Sequence, residues 1–172
     1  MRKSLLSFVL LLTAVPAAAQ LGIYAAYSTA KTDVANSSRT YGPTIGAYLD
    51  SHHFPLVNFG VDFRAEFLNS DSYLKLNGGA VGPRIVGHLP VVPLHPYAEA
   101  LVGVTRAQYG QGSASTENTA ATYGATAGVD WTILPRIDWR VVDYSYTRYA
   151  VSGGLSSGHT ISTGLVVRIP FL

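Results

Sequence analysis

Along residues 57–67 the chain alternates without a break. Val57, Phe59, Val61, Phe63, Ala65 and Phe67 are apolar, and Asn58, Gly60, Asp62, Arg64 and Glu66 between them are polar, charged or glycine. A β-strand sends successive side chains to opposite faces, so this segment has one oily face and one ionic face. In a soluble sandwich the ionic row meets water. In a small membrane barrel it lines the lumen and the oily row meets lipid.

The pattern recurs between clusters of Gly, Pro, Ser and Asn, and it predicts eight strands over about 20–30, 40–50, 57–68, 72–87, 96–109, 120–133, 137–149 and 159–171. In the fourth, Leu74 and Leu76 stand opposite Lys75 and Asn77, which assigns Lys75 to the polar face; the pattern slips near Gly78-Gly79 and predicts a bulge there. In the seventh, Trp139 and Val141 oppose Asp138 and Arg140, and then Tyr144 and Tyr146 oppose Asp143 and Ser145, so a second bulge is expected at Val141-Val142. Segments of about ten alternating residues in an even number are the mark of an outer-membrane barrel that starts and ends in the periplasm. Residues 51–56, 88–95 and 134–136 are then periplasmic turns, and 31–39, 69–71, 110–119 and 150–158 are short outer loops.

Aromatic side chains gather near the strand ends. Tyr48, Phe59, Tyr97, Trp131, Trp139 and Phe171 are expected at one lipid–water interface, and Tyr41, Phe67, Tyr73, Tyr109, Tyr123 and Tyr149 at the other. The apolar rows put Phe59, Phe63, Val129, Trp131, Leu165 and Val167 against lipid.

Residues 1–19 read as a signal peptide: Arg2 and Lys3, an apolar run from Leu5 to Val15, and the small residues Ala17-Ala18-Ala19 before Gln20. That run is too short to span a bilayer as a helix. Residues 20–172 are expected to form the barrel domain. No cysteine is present, so neither disulfides nor a lipoprotein anchor is available. Of the 12 basic residues Arg2 and Lys3 belong to the leader, so the rest balance the 10 acidic residues one for one. That balance gives no electrostatic case for nucleic acid.

The polar faces carry Asp62, Arg64, Glu66, Lys75, Arg84, Glu99, Asp130, Asp138, Arg140, Asp143 and Arg168. An eight-stranded barrel is just wide enough for side chains to fill, and buried charges persist only when paired. These residues are therefore expected to form an ion-pair network that plugs the lumen; the alternative is a narrow conduit opened by rearrangement of the pairs. No nucleophile stands with an oriented base, and no metal site or cofactor is expected. His52 and His53 fall in a turn without two further ligands, and His88 and His95 read as surface histidines beside the Pro-rich turn.

Three segments resemble the eight-stranded transmembrane domain of the OmpA/OmpX-type outer-membrane proteins: Gly128 to Arg136, Arg140 to Tyr146, and Gly164 to Phe171; Pro96 to Ala100 with Gly103 adds a weaker match. The resemblance implies an all-β, antiparallel up-and-down transmembrane barrel. It also implies a closing strand, with Gly164, Val167, Ile169 and Phe171, that the barrel-assembly machinery reads. The chain departs from the family in ending on Leu172, and no room is expected for a peptidoglycan-binding domain. Some eight-stranded outer-membrane enzymes deacylate lipid A with His and Ser two apart; here His159 and Ser162 are three apart, which puts them on opposite faces. A soluble lipocalin-like barrel usually carries a Gly-x-Trp motif in its first strand, and no tryptophan precedes Trp131.

The reading is an integral protein of the bacterial outer membrane with a structural or surface-interaction role. Its expected partners are outer-membrane lipid, lipopolysaccharide and, during biogenesis, the assembly machinery; it is expected to be a monomer. A narrow pore for ions or small solutes is the runner-up, ahead of a lipid-modifying enzyme.

Overall fold

The computed structural model describes residues 19–33, 39–51, 56–70, 74–109, 116–151 and 154–170. Residues 1–18, the expected signal segment short of Ala19, lie outside them, as do His52, His53, Tyr73 and Phe171 and the side chain of Tyr109. Eight strands follow one another: β1 (Ala19–Thr32), β2 (Arg39–Ser51), β3 (Val57–Asn69), β4 (Leu74–Gly87), β5 (Leu94–Tyr109), β6 (Thr116–Leu134), β7 (Ile137–Val151) and β8 (Gly154–Pro170). Each pairs antiparallel with its neighbour, and β8 pairs back with β1 to close the barrel. Closure leaves no sheet edge, the condition for a strand protein to cross lipid. The strands run from 13 residues in β2 to 19 in β6, more than the 9–11 or so that span a bilayer.

Alternation decides the two faces. In β3, Asn58, Asp62, Arg64 and Leu68 are buried, whereas Phe59, Val61, Phe63 and Phe67 are exposed on the outside. Phe63 and Leu165 are 52% and 54% exposed, with no protein packed over them. The fold is inverted relative to a soluble barrel: its charges are inside.

The bulge expected at Val141-Val142 is present. The pairing of β7 with β8 shifts between Arg140 and Asp143, so both of these residues point inward although they are three apart. The bulge expected at Gly78-Gly79 does not occur: β3 and β4 pair without interruption from Val57–Gly87 to Asn69–Lys75. Because Arg84 faces inward, that unbroken register turns Leu74 and Leu76 inward too and sends Lys75 outward. Lys75 is thus corrected from the lumen to the outer rim, where its long stem can carry the ammonium to water.

Several strands extend beyond their sequence limits at the end away from the termini. In β6 the added residues Thr116 to Thr119 are exposed on both faces, so they carry no alternation to read. The β6–β7 connection is a two-residue turn, with Pro135 first and Arg136 second at φ 75°. Proline followed by a positive φ is the requirement of a type II turn, a position that favours glycine.

Candidate functional site

The lumen is filled in layers. Mid-barrel, three arginines and three carboxylates form a closed ring of alternating charge. Arg64 Nη2 lies 2.5 Å from Glu99 Oε2, and Glu99 Oε1 lies 2.6 Å from Arg84 Nη1. Arg84 Nη2 lies 3.5 Å from Asp130 Oδ2, and Asp130 Oδ1 accepts from Arg140 Nε at 2.9 Å. Arg140 Nη1 is 3.8 Å from Asp143 Oδ2, which is 3.3 Å from Arg64 Nη2 and closes the ring. The six belong to five consecutive strands, β3 to β7, and all are buried. Two more carboxylates hang from the ring: Asp62 at 3.3 Å from Arg64 Nε, and Asp50 at 3.5 Å from Arg84 Nε, an ion pair without hydrogen-bond geometry. Toward the termini Arg168 meets Asp138 at 2.7 Å.

Three tyrosines brace the ring. Arg84 lies 4.2 and 4.1 Å from the ring centroids of Tyr48 and Tyr97, and Arg140 lies 4.0 Å from that of Tyr24. Such desolvated cation–π contacts add about 2 kcal/mol each. The hydroxyls also donate: Tyr97 to Asp143 at 2.6 Å, and Tyr24 to Asp62 at 3.0 Å. Each tyrosine stands opposite a glycine on the next strand, in the pairs Tyr24–Gly46, Tyr48–Gly22 and Tyr97–Gly128. A Cβ on any of those glycines would strike the facing ring. The glycines let the rings lie flat across the backbone.

These positions correct the aromatic assignment. Tyr48 and Tyr97 are not in an interfacial belt, and Tyr149 is buried in the lumen as well. Their parity carried the signal: Tyr48 shares a face with Thr44, Tyr97 with Glu99, and Tyr149 with Asp143 and Ser145. Phe59, Trp131, Trp139, Tyr41, Phe67 and Tyr123 do face outward. Val167 is exposed on the outside and Val129 is half-buried there, between Pro96 and Val142. Ile169 is also exposed, while Gly164 lies close to the Ala25 and Ala26 backbone.

Beyond the ring is a layer of hydroxyls. Ser28 bonds Thr44 at 2.6 Å and Ser162 at 2.7 Å, and Thr126 bonds Ser145 at 2.7 Å. Glu66 lines, with Thr105, Thr122, Ser145 and Thr147, a cavity of about 30 Å³, which has room for one or two waters. Glu66 has no ion pair with any described residue. The far end of the lumen is closed by an apolar cluster of Ala30, Leu68, Leu74 and Leu76. Asp50, the tyrosines and this cluster were missed from the sequence. The cluster was missed because Leu74 and Leu76 were assigned to the face opposite Lys75.

The lumen thus holds the carboxyls of Asp50, Asp62, Glu66, Glu99, Asp130, Asp138 and Asp143 against the guanidiniums of Arg64, Arg84, Arg140 and Arg168, an excess of acid. His88 and His95, expected at the surface, are partly buried and meet edge-on with ring centroids 4.9 Å apart. His159 faces outward, bonded to the Tyr144 hydroxyl at 2.6 Å, while Ser162 faces inward. These two cannot share a proton.

No protein-family profile and no curated protein sequence matches the chain. Solved structures do. Neisserial surface protein A (NspA) superposes with a TM-score of 0.60 at 19% identity, over 87% of this chain and 96% of that one. Ail, the attachment invasion locus protein of Yersinia pestis, gives a TM-score of 0.56 at 13% identity, over 89% of this chain and 99% of that one. Ail in complex with the heparin analogue sucrose octasulfate gives 0.51 at 14% identity, over 88% and 98%. Taken with the closed strand order and the inverted polarity, these likenesses establish the fold as that of the eight-stranded outer-membrane β-barrels.

Proposed function

We propose that this chain is an exported, integral outer-membrane protein whose barrel is a sealed structural body rather than a channel, and that its role is envelope integrity or surface interaction. The observation that carries the reading is the closed ring of Arg64, Glu99, Arg84, Asp130, Arg140 and Asp143 across the lumen, backed by the leucine cluster at the end away from the termini. Moving an ion through it would require parting buried pairs, and leaving a buried charge unpaired costs about 3–5 kcal/mol. The exposed apolar outer face supports insertion in lipid, and the neighbouring folds support the outer membrane as the site. The chain acts as a monomer delivered by the barrel-assembly machinery.

The test is planar-bilayer recording on protein that shows a mobility shift between unboiled and boiled gel samples. The shift with a silent bilayer is the expected result. Steady single-channel steps would overturn the sealed body. A second reading, a narrow cation pathway, draws on the excess of lumenal carboxyls; it requires those steps to be cation-selective.

A further inference from the structure

We propose that the outer face of β5–β7 binds one phosphorylated acyl lipid, its chain lying in a groove over Ala100 and Ala125 and its phosphate on Arg148; this rests on the membrane reading above. The groove has a volume of about 470 Å³. Its floor is set by the cross-strand pair Ala100–Ala125, whose side chains stop at Cβ. Bulkier neighbours form the walls, Pro83 from β4 and Tyr146 from β7, and Val102 and Tyr123 close the upper end.

Arg148 makes this groove a candidate for a lipid with a charged head. It points outward, three residues before the end of β7 at Val151. Its Nε donates to the Tyr146 hydroxyl at 3.2 Å, and its guanidinium lies 6.0 Å from the Tyr146 ring centroid. Among the described residues it has no carboxylate partner, unlike Arg106, which pairs with Glu117 at 3.6 Å. A guanidinium held at a lipid-facing surface without a counterion is costly unless an anion meets it. Phosphate suits its fork of donors, and the apolar trough directly below suits the tail of the same molecule. A larger concavity of about 1240 Å³ wraps the barrel waist past Ile23, Ala47, Phe63 and Leu165, but its outward side chains are all apolar, so it offers lipid no fixed point.

Native mass spectrometry of the refolded chain in detergent micelles, titrated with lipid A, tests this. The wild type should retain one lipid per barrel. Arg148→Gln and Ala125→Leu should each weaken retention roughly tenfold or more, the first by losing the charge-assisted bonds and the second by filling the trough. Inorganic phosphate in excess should leave the lipid bound. Wild-type retention by either variant would overturn the proposal. So would full displacement by phosphate, which would mark a headgroup site alone, or a dimer abolished by Ala125→Leu, which would make a second copy the occupant. The gel-mobility shift separates the two levels: a wild type lacking it loses the membrane reading itself, whereas a shift without a lipid adduct removes only the groove.

Discussion

Removing the Arg64 side chain strikes the ring where it is most connected. Arg64 reaches Glu99, Asp143 and Asp62. After Arg64→Ala, Glu99 keeps Arg84 at 2.6 Å, and Asp143 keeps Arg140 at 3.8 Å and the Tyr97 hydroxyl at 2.6 Å. Asp62 keeps only the Tyr24 hydroxyl at 3.0 Å and loses its one cation. Stranding a buried charge in this way costs about 3–5 kcal/mol, and because two of the three carboxylates retain partners the lower end is expected. Asp62→Asn alone should cost less, since Arg64 still faces two carboxylates. In the Asp62→Asn background the penalty of Arg64→Ala should shrink by about 1–3 kcal/mol, the coupling of residues in one network. Urea unfolding of the refolded barrel in lipid vesicles measures all four corners of the cycle. A loss below about 1 kcal/mol for Arg64→Ala, or no coupling to Asp62, would refute the argument that paired charges hold the lumen together.

The outer face answers to the opposite rule. Phe63→Arg and Leu165→Arg should each cost about 2–4 kcal/mol in the same vesicles, and neutral results for both would count against burial in lipid. Gly22→Ala should lower the unfolding midpoint by an equivalent of about 1–3 kcal/mol, because its methyl meets the Tyr48 ring, and Tyr48→Leu in addition should return part of the loss. Arg136→Gly should raise stability by about 0.5–1 kcal/mol by relieving the positive φ in the β6–β7 turn; a decrease would show that the Arg136 side chain holds the turn. The double variant Leu68→Ser, Leu74→Ser removes apolar bulk from the far end of the lumen, yet it should remain non-conducting in a planar bilayer, since the ring below still blocks the path.

Parity made the fold legible. Strand count, neighbour order and the inward turn of Asp62, Arg64, Glu99 and Asp130 all follow from period-two alternation in single segments. The Val141-Val142 bulge was readable because two good alternations of opposite phase meet there. The pairing within the ring was not. Arg64 and Asp143 are 79 residues apart and touch only because the sheet curls until β3 faces β7 across the lumen. Lys75 failed for a different reason: where the lumen is capped by leucines, polarity no longer tells inside from outside, and only the unbroken register with β3 does. Tyr48 and Tyr97 were misplaced when an average preference of tyrosine for interfaces was set above their own position in the alternation.

The seam where the first and last strands meet is chemically unlike the rest of the wall. Among the described residues no ion pair involves β1, and Arg168, near the very end of β8, turns to Asp138 on β7. Across the seam the lumen side offers Ser28 to Ser162, together with small residues such as Ala26 and Gly164. The charged ring is therefore the property of an unclosed five-strand arc. β1 joins it only through Tyr24, so zipping the cylinder shut never requires an unneutralised charge to wait at the gap. A chain threaded into a membrane strand by strand could neutralise its most expensive groups first and leave the mildest join for last.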